Sequence, residues 1–170
     1  MKSIDALDAR ILLALDDDPG ATILHLAKVL GVSRNTVHAR LQRMDREDLL
    51  LGFSQRVPPA AMGYDLVAFV SLAISQSEGT AALDLLETIP EVVEVHATTG
   101  EADLLVKVVA RDTADLHRIT TSILGIEGMV RSSTAVSLWQ TMPNRTRALL
   151  TALAEGDTWP GGPGTRRARM

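Results

Sequence analysis

The sequence predicts an α+β protein in two parts: a three-helix unit at the N-terminal end, then a ferredoxin-like four-stranded antiparallel sheet with two helices on one face. Three observations carry this. Apolar residues recur with a helical period through the first 50 or so positions. Pro58-Pro59 then interrupts regular structure. From Leu66 onward, β-rich runs and helical stretches alternate in the order strand, helix, strand, strand, helix, strand.

The first helix runs through Leu7-Asp8-Ala9-Arg10-Ile11-Leu12-Leu13-Ala14-Leu15, with Leu7, Ile11, Leu12 and Leu15 on one face. In the second, Ile23, Leu26, Ala27 and Leu30 form an apolar stripe, and Gly31 ends it because glycine tolerates the left-handed backbone of a tight helix stop. Ser33 is placed to cap a third helix beginning at about Arg34. On that helix Val37, Leu41 and Met44 fall on one side, and Asn35, His38, Ala39, Gln42, Arg43 and Arg46 fall on or near the other. Arg34 and Arg40 flank the seam.

Two short helices broken at Gly31-Val32 and restarted at Ser33, after a packing helix, spell a helix-turn-helix. An exposed face of guanidinium, amide and imidazole groups with few carboxylates suits the phosphates and base edges of a major groove. Arg34, Asn35, His38 and Gln42 are the candidate base readers, and Arg40, Arg43 and Arg46 the candidate phosphate contacts. Ser33, Thr36 and Ala39 complete the candidate double-stranded DNA interface. The net charge of −4 does not oppose this, because Arg34, Arg40, Arg43 and Arg46 stand against only Asp45 in the segment, while residues 64–142 carry the acidic excess.

Residues 51–57 are read as a short connector strand, stopped by the two prolines. Leu66, Ala68, Val70, Leu72 and Ile74 then alternate with Val67, Phe69, Ser71, Ala73 and Ser75 in a strand apolar on both faces. Residues 80–89 return to helical spacing with Leu83, Leu86 and Ile89 inward, and Pro90 ends the helix. Residues 92–99 and 103–110 form a hairpin around Gly100-Glu101-Ala102. Asp112 or Thr113 caps a helix through Leu124 with Leu116, Ile119 and Ile123 inward, and a last strand spans residues 129–139. The sheet face away from the helices, carrying Val67, Phe69, Leu105 and Val109, is expected to be covered by another subunit.

In 170 residues, 46% hydrophobic and 3% aromatic, the cores must be built from Leu, Val, Ile and Ala. The absence of cysteine excludes disulfides, thiolate metal sites and cysteine nucleophiles. Acids stand in the opening MKSIDALDAR where a secretory signal needs apolar residues, and no apolar run approaches the ~20 residues of a membrane span. A cytoplasmic protein without membrane partner, metal, cofactor or catalytic residues is the expectation.

From about Ile4 to Met142 the chain resembles the Lrp/AsnC family of feast/famine transcriptional regulators. The matching residues are Leu7-Asp8 with Ile11-Leu12, Leu26-Ala27, Gly31-Val32-Ser33, Gly63, Thr99-Gly100-Glu101-Ala102-Asp103, and Gly128 with Thr134. The resemblance implies a winged helix-turn-helix followed by a ligand-sensing, ACT-like αβ-sandwich that forms homodimers and higher oligomers, commonly octamers. It also implies a small effector, usually an amino acid, bound between sensing domains. Carried over, the effector residues are Thr98, Thr99, Gly100, Glu101 and Asp103, with Thr134 from the neighbouring strand. An ammonium wants a carboxylate such as Asp103 or Glu101, and a carboxylate wants N–H groups or hydroxyls. Gly100 and Asp103 equally suit a plain hairpin turn.

The domain reading is therefore residues 1–51 for DNA binding, 52–63 for the connector, 64–142 for sensing and oligomerisation, an extra helix at 143–155 and a disordered tail at 156–170 rich in Gly, Pro and Arg. Two alternatives stand beside a sensing regulator. One is an architectural DNA binder without effector. The other is an enzyme similar to the sirohaem decarboxylases, for which His96 and His117 are available but only Lys107, Arg111, Arg118 and Arg131 could hold propionates.

Overall fold

The computed structural model describes residues 3–75 and 79–156. In chain order the elements are α1 (Ala6–Asp17), α2 (Ile23–Leu30), α3 (Arg34–Arg46), β1 (Leu66–Ile74), α4 (Gly79–Glu87), β2 (Val92–Ala97), β3 (Leu104–Ala110), α5 (Thr113–Leu124), β4 (Met129–Ser137) and α6 (Arg147–Ala154), with 3-10 turns at Phe53–Arg56 and Pro59–Met62. The described residues make two compact units, one of residues 3–52 together with 143–156, the other of those within Phe53–Met142.

In the first unit, α1, α2 and α3 each start where a side chain can satisfy free N–H groups. Asp5 accepts from the N–H groups of Leu7 and Asp8, and the Asp8 carboxylate accepts from the Asp5 N–H at 2.9 Å, a reciprocal capping box. Thr22 caps α2 and Ser33 caps α3, accepting from the N–H groups of His25 at 3.1 Å and Thr36 at 3.0 Å. Between them Gly31 ends α2 at φ +67°, a left-handed conformation in which a Cβ would be strained. Leu26, Ala27 and Val37 form the buried centre, with Leu15, Ile23, Leu30 and Leu41 packed against it. On α1, Ile11 is fully buried and Leu7, Leu12 and Leu15 are half-buried. Asp8 and Ala9 are buried with them.

The C-terminal helix α6 belongs to this unit and packs along α1. Arg147 at its start pairs with Asp17 at 2.7 Å and Asp16 at 3.7 Å, beside the end of α1. That cation offsets the absence of any basic residue in the last turn of α1. The expected disordered tail, beyond Gly156, lies outside the described residues.

The second unit is the antiparallel sheet in the order β2-β3-β1-β4, with α4 and α5 on one face. Ala68, Val70 and Leu72 of β1 and Leu104, Val106, Val108 and Ala110 of β3 turn toward Leu86 of α4 and Leu116, Ile119 and Ile123 of α5. This period-2 alternation puts Val67, Phe69, Ser71 and Ala73 on the opposite face, where Phe69 remains 39% exposed. Val109 shares that face with them, opposite Val67. It is nevertheless buried, and its N–H donates to the Glu91 carbonyl ahead of β2, so it is not part of the exposed patch.

Two local readings are corrected. Residues 51–57 form no strand: among the described residues they have no ladder partner, and the backbone instead closes on itself in the 3-10 turn Phe53–Arg56. On α4 the inward stripe is Ala82 and Leu86 with Ile89 packed beyond them, while Leu83 is 39% exposed. The inward side chains follow the i, i+4 row from Ala82, and Leu83 lies off it.

Candidate nucleic-acid interface and ligand site

The orientation of α3 is set by what it buries. Val37 and Met44 are fully enclosed and Leu41 half so, which turns Arg34, Asn35, His38, Ala39, Gln42 and Arg46 to the surface. Ser33 is exposed at the cap, and Thr36 is half-buried with its hydroxyl 2.8 Å from that of Ser33. Those two hydroxyls therefore define the start of the helix. Among the described residues, neither Arg34 nor Arg46 is in an ion pair, so both guanidiniums retain their full donor sets.

Arg40 and Arg43 differ. Arg40 binds the Asp5 carboxylate and reaches both oxygens of Asp8 at 3.3 Å. Arg43 binds Asp8, Glu47 at 3.4 Å and the carbonyl of Ser3 at 3.3 Å, and its Nε is buried without an acceptor. Asp8 is completely buried and collects both cations and the Asp5 N–H. Burial at this junction works against ionisation of Asp5, but the hydrogen bonds from Arg40 and from the N–H groups of Asp8 and Leu7 outweigh it and hold the Asp5 carboxyl at about 2. The reading of Arg40 and Arg43 as phosphate contacts is revised accordingly: a buried carboxylate needs a cation, and these two fasten α3 to α1. Sequence reasoning missed Asp8 as their partner. The signal was present, since Asp8 stands three residues after a capping Asp5 and on the i, i+3, i+4, i+7 stripe with Ile11, Leu12 and Leu15.

In the sheet unit, the β2–β3 loop is pinned by its own side chains. Thr98 donates its hydroxyl to the Ala102 carbonyl at 2.8 Å, and its N–H donates to the Asp103 carbonyl at 2.9 Å. The Asp103 carboxylate accepts from the Ile74 N–H at 2.8 Å, and its own N–H donates to Leu72. Thr98 thus closes the hairpin on itself, and Asp103 ties it to β1. Gly100 turns the loop at φ +117°, a region that L-residues rarely enter. Thr99 and Glu101 are exposed.

Thr134 does not join this group. It pairs with Val70, so it lies on the helix side of the sheet, while its neighbours Ser133 and Arg131 pair with Ser71 and Ala73 on the open side. There a cavity of about 300 Å³ is lined by Ser71, Ala73, Glu101, Ala102, Arg131 and Ser133. Of the residues anticipated around the loop, Glu101 alone lines it. Arg131 donates to the Glu101 carbonyl at 3.2 Å.

Of the other cations of this unit, Arg56 lies over the Phe53 ring at 4.7 Å, and Lys107, Arg111 and Arg118 are paired with carboxylates. Lys107 pairs with Glu94 at 2.7 Å, and its hydrogen bond lowers the Glu94 pKa against the effect of burial. Arg111 and Arg118 bind Asp115, whose carboxyl is held at about 2 by the Arg111 N–H and the Arg118 guanidinium. Arg118 also reaches the buried Glu91. His96 is exposed beside Glu94 at 3.5 Å, and His117 is exposed on α5. A cradle for a many-carboxylate tetrapyrrole is therefore missing from the described residues. These contain no group of three or more His, Cys, Asp or Glu that could hold a metal ion, and no helix long and apolar enough to cross a membrane.

A capped, projecting helix with unpaired cations and amides, in one chain with a sheet that carries a polar cavity, defines a DNA-binding regulator with a ligand-binding domain. Comparison with known proteins agrees. Residues 4–45 match the AsnC-type helix-turn-helix domain, and residues 67–146 match the Lrp/AsnC ligand binding domain. The regulatory protein AsnC of Escherichia coli K12 is 33% identical over 137 residues, 79% of this chain and 90% of that one. AsnC of Haemophilus influenzae is 31% identical over 140 residues, 81% and 93% of the two chains. The solved structure of E. coli AsnC superposes with a TM-score of 0.77 at 30% identity, covering 86% of this chain and 99% of that one. A feast or famine regulatory protein from M. tuberculosis complexed with L-methionine gives 0.74 at 26% identity, over 85% and 98%. The chain belongs to the Lrp/AsnC family of transcriptional regulators, a non-enzyme family.

Proposed function

We propose that this regulator reads its operator with Arg34, Asn35, His38 and Gln42 and grips phosphates with Arg46, and that an amino acid bound in the sheet unit tunes its hold on DNA. The observation that carries the reading is the division of labour on α3: Arg40 and Arg43 are consumed by Asp5 and Asp8, whereas the exposed face keeps its cations and amides uncommitted. The L-methionine complex of a relative supports the amino-acid class of effector. The half-exposed Phe69, with Val67 and Leu105 on the same open face, suits a second copy of the chain. Homodimers built there present two recognition helices to major grooves about one helical turn, ~34 Å, apart, and pairing of dimers, as far as octamers, leaves the ligand cavity between sensing domains. Such a protein works in the cytoplasm, beside its DNA.

The test is a titration of the protein–DNA complex with the amino acids one by one, followed by anisotropy and by sedimentation. A shift in affinity or assembly for at least one of them is expected, and by linkage that effector binds the DNA-loaded protein differently from the free protein. No response to any of them leaves an architectural DNA binder.

A further inference from the structure

We infer that the effector is an α-amino acid with a short hydrogen-bonding side chain, its carboxylate held by Arg131 and its ammonium by Glu101. This rests on the sensing role above and assigns its chemistry. The cavity of about 300 Å³ is lined by one cation, one anion, two serines and two alanines. Arg131 and Glu101 are close enough for a hydrogen bond from the guanidinium to the Glu101 carbonyl at 3.2 Å, yet neither charged group is in an ion pair among the described residues. Every other cation of β3 and α5 is matched to a carboxylate, so this opposite but unjoined pair stands apart. A zwitterion satisfies both charges at once; an inorganic anion satisfies only the guanidinium.

The rest of the lining decides the side chain. Cross-strand pairing sets Ser71 against Ser133 and Ala73 against Arg131, so two hydroxyls lie side by side on one face. Among the described residues the apolar lining comes from the methyl groups of Ala73 and Ala102, and this chain's described residues put no aromatic or long aliphatic side chain in the wall. A leucine or methionine side chain would strip water from the hydroxyls while finding little apolar surface to bury against. A hydroxyl or amide side chain replaces that water with hydrogen bonds. Serine, threonine, asparagine and glutamine fit; the relative crystallised with L-methionine supplies the contrast.

Calorimetric titration of the full chain with these four amino acids, leucine and methionine tests the assignment, with the α-carboxamide of the best binder as a probe lacking the carboxylate. The polar four are expected to bind at least tenfold tighter than the apolar two. Arg131→Gln and removal of the ligand carboxylate should each weaken binding about ten- to a hundredfold, and the two losses should not add, because they delete one interaction. Glu101→Gln should weaken the amino acids and leave their N-acetyl forms unaffected. Tighter binding of leucine or methionine, or an unchanged affinity in Arg131→Gln, overturns this inference while leaving an amino-acid sensor standing. Binding of none of the six, with a response to some other amino acid in the DNA titration, also overturns it. Failure of every amino acid in both experiments overturns the sensing role itself.

Discussion

Replacing Asp8 by asparagine removes one negative charge from a site with no solvent access, where two guanidiniums converge. Asparagine keeps an acceptor for the Asp5 N–H, so the capping box survives and the loss is electrostatic. Breaking a fully buried ion pair costs about 3–5 kcal/mol, but Arg40 and Arg43 remain 32% and 28% exposed and retain Asp5 and Glu47, which brings the expected loss to about 2 kcal/mol. With a urea slope of about 1–3 kcal/mol/M, the midpoint of the helical unit should fall by roughly 1 M. A second readout separates this account from simple loosening. Released from Asp8, Arg43 keeps a carboxylate only in Glu47 at 3.4 Å while Arg40 stays on Asp5, so the salt dependence of binding to random DNA should steepen by up to about one unit, from Arg43. Conversely, Arg40→Gln in the native chain should leave that slope unchanged, whereas Arg46→Ala should lower it by about one unit. An Asp8→Asn midpoint within ~0.2 M of the native chain, or a slope that drops in Arg40→Gln, would refute the reasoning.

On the reading face, Arg34→Ala and Asn35→Ala should relax base preference at single operator positions by about 1–3 kcal/mol, measured as the ratio of specific to random DNA affinity; equal losses on both DNAs would reject them as readers. Acid stability should follow Asp5. Its folded carboxyl at about 2 lies below the ordinary 3.8, so the unfolded chain binds the proton more readily and stability is lost as pH falls from about 4 toward 2; urea midpoints across that range should decline less in Asp5→Asn. Asp103→Ala should act as a structural lesion. The Ile74 N–H loses its acceptor at an exposed site, costing about 1 kcal/mol, and hydrogen exchange at Ile74 should accelerate; an exchange rate equal to the native one would return Asp103 to a purely ligand-binding role.

What a single stretch of chain determines is legible in the sequence. The stripe Leu116, Ile119 and Ile123, the caps Ser33 and Asp112 and the alternation of β1 each follow from a local period or a local hydrogen bond, and the structure carries them as expected. The connector fails for the same reason. Residues 51–57 have strand composition, but a strand exists only if a partner accepts its ladder, and the chain supplies none among the described residues. Helix α6 is visible as a helix and silent about its packing, because its partner α1 begins some 140 residues earlier.

The candidate sites show the same limit at higher stakes. A count of charges on the α3 face cannot tell Arg43 from Arg46; what distinguishes them is Asp8, 35 residues earlier, lying within reach of one and not the other. Likewise the offset between Thr134 and Ser133 is one residue in sequence but the opposite face of the sheet in space, and it is fixed by a register with β1 that shifts between Ala73 and Ile74. Folding thus sorts a surplus of charged residues into pairs and remainders. On the exposed face of α3 the remainder is Arg34 and Arg46; around the sheet-unit cavity it is Arg131 and Glu101. Charges that the fold leaves uncommitted are the ones an external ligand can engage without first breaking an internal bond, and that is the physical ground for the roles proposed for these four residues.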